Sequence, residues 1–268
     1  MRTIKLKLLS FCMLTLLFGA SSVALGDWQP SDGHKMHFPQ LPDPDGWDVE
    51  IVAVPIADDW QCTRTGPVRD IHFWTSWVGD DVNQIEVLDV NIYADIPDPD
   101  GDGPLYSKPG ELLWSRTFTM SEFSVVSPYG TGDQGFYDPP PAASWGLHDH
   151  VQYQQINIEN IQNPFIQQEG NIYWLSISAH WEGSRAPVGW KTSQNHFQDV
   201  AVYWQYIEKK WIPLYDPNSG EPLDLAFVIT RSSERIPTVS EWGLIIMAVL
   251  LLMAGAVVIM RRRQTVVA

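Results

Sequence analysis

The chain has 268 residues and a formal net charge of −15, because 32 acidic side chains outnumber 17 basic ones. This excess of negative charge disfavours nucleic acid and anionic lipid as partners, since both would repel the protein. The length is sufficient for one large domain with a substantial hydrophobic core.

Residues 1–26 have the three parts of a secretory signal peptide. A basic segment that includes Arg2 is followed by an apolar run over residues 8–20 and by small residues at 22–26. The apolar run is too short to span a membrane stably, and the small residues fit a cleavage site. We therefore predict that signal peptidase removes this segment and that the remaining chain is exported.

Cysteine usage is consistent with a simple exported chain. Of two cysteines, Cys12 lies in the signal peptide, so Cys62 is the single thiol of the exported portion. One thiol cannot form an internal disulfide. We expect Cys62 to be a small buried hydrophobic residue, because a nucleophilic role would need a lowered thiol pKa and an adjacent base, and no sequence signature suggests them.

Residues 27–235 have the hydrophobic alternation of β-strands and little sign of long helices. In the segment 223–230, for example, every second residue is a large apolar one. Clusters of Pro, Gly, Asp and Asn separate such segments and are typical of turns. The pattern predicts an all-β ectodomain, a single antiparallel β-sandwich of jelly-roll type.

One of these turns has the spacing of a calcium loop. Asp98, Asp100 and Asp102 occupy alternate positions and Gly103 follows them, as in the first half of a loop that wraps oxygen ligands around a hard cation. Pro109 stands where such a loop carries its bidentate Glu. The sequence therefore predicts at most a weak Ca²⁺ site, with a plain acidic turn as the alternative.

Two histidines have the spacing of metal ligands. His148 and His150 are two residues apart, which places both imidazoles on one face of a strand. A cupin-type site would have an acid four or five residues later, where Gln154 and Gln155 stand instead. We therefore expect solvated loop histidines.

Tryptophan is abundant, with 13 residues in the chain. Most lie in or beside the predicted strands, where large aromatic side chains fill a sandwich core. Trp145 and Trp181 lie in loop-like segments and are the candidates for an exposed platform that stacks on sugar rings. An extracellular polysaccharide is accordingly a candidate ligand.

Four short motifs resemble those of an uncharacterised exported bacterial domain that recurs in surface proteins with C-terminal sorting tails. The motifs are Ala57–Cys62, Thr65–Trp74, Lys108–Trp114 and Gly189–Ser193. The similarity is spread over residues 47–230. It implies an exported location and a β-rich architecture, but no activity and no site.

The C-terminal region contains an apolar run followed by a basic cluster. Residues 243–260 carry no charge, and Arg261–Arg263 follow. As a helix this run would cover about 27 Å, close to the thickness of the hydrocarbon core. The arginines predict a cytoplasmic C-terminus, so residues 264–268 would form a short cytoplasmic tail and the ectodomain would lie outside.

The residues before this run form a recognisable motif. They are Ile236, Pro237, Thr238 and Val239, followed by Trp242 and Gly243. The motif, the apolar run and the basic cluster resemble the IPTL-type C-terminal sorting signal of Gram-negative bacteria, with Val239 in place of the usual Leu. The resemblance implies that an exosortase-class enzyme recognises residues 236–263, removes the helix and passes the inner-membrane-tethered precursor to the cell surface.

No sequence signature of catalysis occurs, since the chain lacks a nucleophile elbow, a zinc-protease motif and a phosphate-binding glycine loop. We therefore predict a non-enzymatic structural or binding protein of the bacterial envelope or extracellular matrix. A carbohydrate-binding module is the first alternative. A sandwich-fold hydrolase is the second, and it would require two carboxylates facing each other across a cleft.

Overall fold

The computed structural model describes residues 28–52, 54–98, 106–181, 183, 186–230 and 249. The signal peptide, the sorting motif and, apart from residue 249, the predicted helix over 243–260 lie outside the described residues. By its contacts the chain divides into two units, residues 1–231 and 232–268, and the fold below belongs to the first. Within the described part of the chain, no helix has the length and apolarity needed to cross a membrane.

The described part of the domain consists of strands and one short 3-10 helix, Val78–Asp80. The strands are β1 Trp47–Glu50, β2 Ile56–Gln61, β3 Gly66–Pro67, β4 Asp70–Trp77, β5 Val87–Ile96, β6 Lys108–Thr119, β7 Phe123–Asp138, β8 Ser144–Ile158, β9 Ile166–Gln167, β10 Ile172–His180, β11 Val188–Ser193, β12 Val202–Gln205, β13 Lys210–Pro213, β14 Asp224–Leu225 and β15 Phe227–Thr230. The prediction of an all-β domain is confirmed.

Five strands close on themselves in a barrel-like arrangement, which we call the closed ring. They are joined in the order β11, β1, β7, β8, β4, and β4 pairs again with β11. Closure is achieved because β11 is paired along both edges: Trp190 stands opposite Val49 of β1 on one side and opposite Thr75 of β4 on the other. Only the β1–β7 pairing within the ring is parallel.

The last two strands fill the space where β4 and β11 diverge. β14 pairs with the end of β11, and β15 pairs with the start of β4. The free edge of β15 is covered by the N-terminal segment, in which the Lys35 amide donates to the Ile229 carbonyl and the Gln40 amide donates to the Phe227 carbonyl. Each ring-associated strand therefore finds partners on both sides in this region.

A second sheet of six antiparallel strands packs on the ring, in the order β13, β12, β2, β10, β5, β6. The core lies between the two layers: the Trp60 ring of β2 meets Phe227 of β15, which in turn meets Trp190 of β11. The arrangement has two layers, as in a sandwich, but one layer closes on itself. A single jelly-roll sandwich therefore does not describe it, because hydrophobic alternation reports a buried face and not which edges pair.

Most tryptophans fill the core, as predicted. Trp60, Trp74, Trp174 and Trp190 are completely buried. Cys62 is buried and free, and burial raises the pKa of its thiol, which disfavours a reactive thiolate. The expected structural role of Cys62 is consistent with this environment.

Candidate functional site

The inside of the closed ring is polar. Asp48 of β1, Ser76 of β4, His150 of β8 and Lys191 of β11 are all buried, and their side chains contact one another. Because side chains from four ring strands meet, they must point to the interior of the ring. The expectation of a solvated His150 is wrong, since its side chain is fully buried on a strand.

These residues and Asp149 form one network, which we call the charged network. Asp48 Oδ2 lies 3.1 Å from Lys191 Nζ and 3.0 Å from His150 Nε2. Ser76 Oγ is 2.9 Å from the same His150 nitrogen. His150 Nδ1 is 2.5 Å from Asp149 Oδ1, on a side chain that reaches partly into solvent.

The charges of this network balance. Burial alone would raise the pKa of Asp48, but the Lys191 ammonium and the hydrogen bonds from His150 and Ser76 lower it overall. Burial likewise disfavours protonated His150, but the carboxylates of Asp48 and Asp149 raise its pKa above the ordinary value. Two carboxylates therefore face two cations, which is the condition for burying charge without leaving it unpaired.

A cleft of about 460 Å³ opens between the start of β1, the second half of β7, the first part of β8 and the loop after β13. Its walls are formed by Asp45, Gly46, Trp47, Asp133, Gln134, Gly135, Leu147, His148, Asp216 and Asn218. The volume falls within the range of about 300–1,000 Å³ that is typical of small-ligand sites. Three of the wall residues are aspartates, so the cleft is acidic.

Gln134 forms part of the cleft wall and stands opposite His150 in the β7–β8 pairing. Its side chain is completely buried, and neither its amide oxygen nor its amide nitrogen has a hydrogen-bond partner among the described residues. A buried amide group without hydrogen-bond partners lowers the stability of the folded state by about 1–3 kcal/mol. Gln134 thus holds two N–H donors and one carbonyl acceptor without partners beside the cleft, on amide atoms that are shielded from solvent.

Hydrogen bonds fix the acidic side chains of the cleft. Trp47 Nε1 donates to Asp216 Oδ2 at 2.9 Å. Burial pushes the pKa of Asp216 upward, but this hydrogen bond and backbone amides of the following turn lower it overall. Asp133 Oδ1 lies 2.6 Å from Nδ1 of His148, which is exposed as expected.

A glycine sets the close packing at this end of the ring. A Cβ on Gly135 would lie 2.7 Å from the Trp47 ring and 2.8 Å from the Gly146 carbonyl oxygen. Any side chain there would displace Trp47 and with it the hydrogen bond to Asp216. Gly135 therefore allows the Trp47 ring to take its position in the wall of the cleft.

The two tryptophans proposed for sugar stacking differ in position. Trp145 is 51% exposed and lies on β8, two residues before Leu147, which borders the cleft. Trp181 is partly buried and packs against the main core. Trp145 is therefore close to the cleft along its strand, and Trp181 is not among the cleft residues.

The proposed calcium loop is only partly described. Asp98 lies just after β5, whereas Asp100 and Asp102 fall outside the described residues. Across residues 28–230, gaps excepted, no group of three or more His, Cys, Asp or Glu side chains is arranged to hold a metal ion. Calcium binding therefore stays a prediction. The sorting residues Ile236, Pro237, Thr238, Trp242 and Gly243 also lie outside the described part of the chain.

A second buried polar region, the acidic cluster, consists of Asp58, Asp59 and Asp224. Asp58 and Asp59 are completely buried, and Asp224 is nearly so. Asp58 Oδ2 accepts hydrogen bonds from the Leu225 amide at 2.6 Å and from Gln40 Nε2 at 2.7 Å. Neither carboxyl oxygen of Asp59 has a hydrogen-bond partner among the described residues.

The pKa values of this cluster move in the opposite direction from that of Asp48. Burial and the neighbouring Asp224 raise the pKa of Asp58 well above 3.8, and burial and Asp58 do the same for Asp59. Burial raises the pKa of Asp224 to about 7. Asp224 is therefore largely protonated at mildly acidic pH, and the uncharged forms of Asp58 and Asp59 are favoured relative to an ordinary aspartate.

Sequence reasoning missed Asp48, Gln134 and Lys191, although Lys191 lies in one of the four motifs. A charged or amide side chain on a strand is usually read as facing solvent. The available signal was weak: Asp48 lies between the apolar residues Trp47 and Val49, in a strand all four residues of which are buried.

Two known families match parts of the chain. The family described as "Domain of unknown function (DUF7901)" matches residues 36–230, and the IPTL-CTERM motif matches residues 236–264. The two resemblances inferred from the sequence are thereby confirmed. Neither a curated protein nor a solved structure matches the chain.

Proposed function

Because the chain belongs to the DUF7901 family and carries an IPTL-CTERM motif, we propose that it is a non-enzymatic surface protein that binds an extracellular polysaccharide. The family and the sorting motif indicate an exported, cell-surface protein. Signal peptidase and an exosortase-class sorting enzyme are the partners in this route. A purely structural role in the envelope or matrix is the alternative if the cleft takes no ligand.

The observation that carries the binding proposal is the unpartnered amide of Gln134 in the cleft wall. A sugar carries neighbouring hydroxyl groups, each of which donates and accepts hydrogen bonds. Once the Gln134 side chain turns toward the cleft, such a ligand would satisfy both amide atoms, which are shielded from solvent in this structure, and would offset the cost of burying them. The carboxylates of Asp133 and Asp216 would accept hydrogen bonds from further hydroxyls.

The charge of the cleft narrows the ligand class. Three aspartates repel polyanions, so the ligand is a neutral or amine-bearing polysaccharide rather than a uronate-rich or sulfated one. The exposed ring of Trp145 supplies an apolar face of the kind that aromatic side chains offer to sugar rings.

The non-enzymatic reading is supported by the position of the best catalytic arrangement. Ser76 Oγ contacts Nε2 of His150, and Nδ1 of His150 contacts Asp149. This is the order of contacts in a hydrolytic triad. Ser76 is nevertheless completely buried and is absent from the cleft wall, and His150 Nε2 also contacts Asp48. A nucleophile in this position does not reach a substrate in the cleft.

The test of binding is a matched pair of variants. Gln134→Leu should abolish retardation of the protein in affinity gels that contain neutral polysaccharides, and the melting temperature should be unchanged or higher because an unpartnered amide is removed. Gln154→Leu is the control, since Gln154 is also buried with both amide atoms unpartnered but does not border the cleft. Equal retardation of both variants, or none of the wild type on any gel, would refute the proposal.

The sorting route has its own test. Pro237→Ala and Trp242→Ala should leave the full-length precursor in the membrane fraction, because the sorting enzyme no longer recognises the motif. The control is Thr265→Ala in the short tail, which should be sorted normally. Arrival of mature-sized protein at the surface in both motif variants would show that the segment is an ordinary anchor.

A further inference from the structure

Lys191 and Asp48 are placed as reaction partners. They are direct cross-strand neighbours in the β1–β11 pairing, and Nζ lies 3.1 Å from Oδ2 with both side chains fully shielded from solvent. The other contacts of Nζ are weaker: the Gly46 carbonyl at 3.4 Å and the face of the Tyr153 ring at 5.7 Å. The amine therefore approaches this carboxyl group more closely than any other described group.

The ion pair is the favoured form of Asp48 and Lys191, because Lys191 and His150 lower the pKa of Asp48 overall; the uncharged form, in which the reaction takes place, is the minor one. Desolvation penalises an ion pair inside a protein, whereas an amine and a carboxylic acid carry no net charge. The two forms differ by the position of one proton across the 3.1 Å contact. In the uncharged form a nucleophilic nitrogen faces an electrophilic carboxyl carbon, held in place by two paired strands, which is the condition for a fast intramolecular reaction.

We propose that Lys191 and Asp48 form an intramolecular isopeptide bond that joins β1 to β11. Lys191 Nζ attacks Asp48 Cγ, the C–N bond forms, and Oδ2 leaves as water. His150 Nε2, 3.0 Å from Oδ2, gives a proton to the leaving oxygen and recovers one from the nitrogen. Two protons of the original ammonium depart with the water, so the step needs no oxidant, reductant or other co-reactant.

The bond would lock the ring where distant parts of the chain meet. The linked residues are separated by 143 positions in sequence, and Cys62 is a free thiol, so no disulfide supplies such a link in the described part of the chain. The bond would replace a buried ion pair with a neutral amide. The inference is independent of polysaccharide binding, because neither residue borders the cleft.

Mass spectrometry of the purified protein is the direct test. The intact mass should be lower than that of the sequence between its observed termini by the mass of one water molecule. After trypsin digestion, residues 36–64 should appear joined to residues 186–209, because an acylated Lys191 resists cleavage. A full mass together with separate, unlinked peptides ending at Arg64 and Lys191 would overturn the proposal.

Two variants separate the covalent bond from an ion pair. Lys191→Arg keeps the positive charge but cannot form the amide, so it should show the full mass and melt about 10 °C lower than the wild type. His150→Phe should slow formation, with newly made protein at full mass that loses water over hours. A His150→Phe variant that matures as fast as the wild type would remove His150 from the step.

Discussion

The charged network and the acidic cluster bury carboxyl groups to the same depth with opposite consequences. Asp48 and Asp58 are both completely buried. The pKa of Asp48 is lowered because Lys191 and His150 face it, whereas that of Asp58 is raised because burial and Asp224 both disfavour its charge. The partners of a buried carboxyl group, and not its depth, decide whether it is ionised.

The difference makes the two regions respond to pH in opposite directions. In protein whose Asp48 is not linked to Lys191, the stabilisation from Asp48 is present above its unfolded pKa and is lost as the pH falls through its lower folded value. The acidic cluster binds more protons folded than unfolded, so it destabilises the protein as the pH rises from about 4 through 7. His150, whose folded pKa is raised, also loses its contribution as the pH rises. Stability should therefore be greatest at mildly acidic pH.

The largest effect is expected when the charged network loses its lysine. Compared with protein in which the Asp48–Lys191 amide has not formed, Lys191→Met should be less stable by about 3–5 kcal/mol, because Asp48 is left as a buried charge without its ammonium partner. Guanidinium denaturation measures this loss. The double variant with Asp48→Asn removes both charges and should regain part of the stability. A double variant that is no more stable than Lys191→Met would contradict the ion-pair interpretation.

An intermediate effect is expected in the acidic cluster and should depend on pH. Asp224 has a folded pKa of about 7 against an ordinary value of 3.8, so at pH 8 the native state must hold it ionised in a buried site. Asp224→Asn should raise the free energy of unfolding by about 1–3 kcal/mol at pH 8 and change it little at pH 5. Denaturation curves at both pH values would test this. Identical pH profiles for variant and wild type would exclude Asp224 as the titrating group.

The smallest effect is expected for Asp59. Burial and Asp58 raise its pKa well above the ordinary value, so its uncharged form is favoured and Asp59→Asn should change the free energy of unfolding by less than about 1 kcal/mol. Asp48→Asn is the matched change in the charged network and should be clearly more destabilising, because it leaves Lys191 unpaired. Equal losses in the two variants would remove the distinction between the regions.

The strands could largely be predicted where apolar and polar residues alternate within one short segment of the sequence. The segment 223–230, whose alternation predicted strand structure, contains β14 and β15. β7 was not predicted, because its Pro and Gly residues, Gly135 among them, are typical of turns. In the structure that glycine is required by the close approach of Trp47.

Ring closure and the charged network could not be predicted, because both depend on contacts between distant parts of the chain. Asp48 is acceptable inside the ring only because Lys191, 143 positions away, lies opposite it. Nothing in the sequence near Asp48 reports that partner. The location was predictable, by contrast, because the sorting motif is contiguous and needs no folded context.

Closure of the ring also affects how molecules can crowd together on a surface. An open sheet presents unpaired backbone groups to its neighbours and invites sheet-to-sheet association between copies. The ring strands are paired along both edges where the ring closes, but β7 before residue 132, where Pro128 lies, is paired only with β8. The other long accessible edge among the described strands belongs to β6 of the other sheet. That strand contains Pro109, which lacks an amide hydrogen, and the charged side chain of Arg116. Both features discourage strand pairing, so many copies displayed side by side should remain separate molecules.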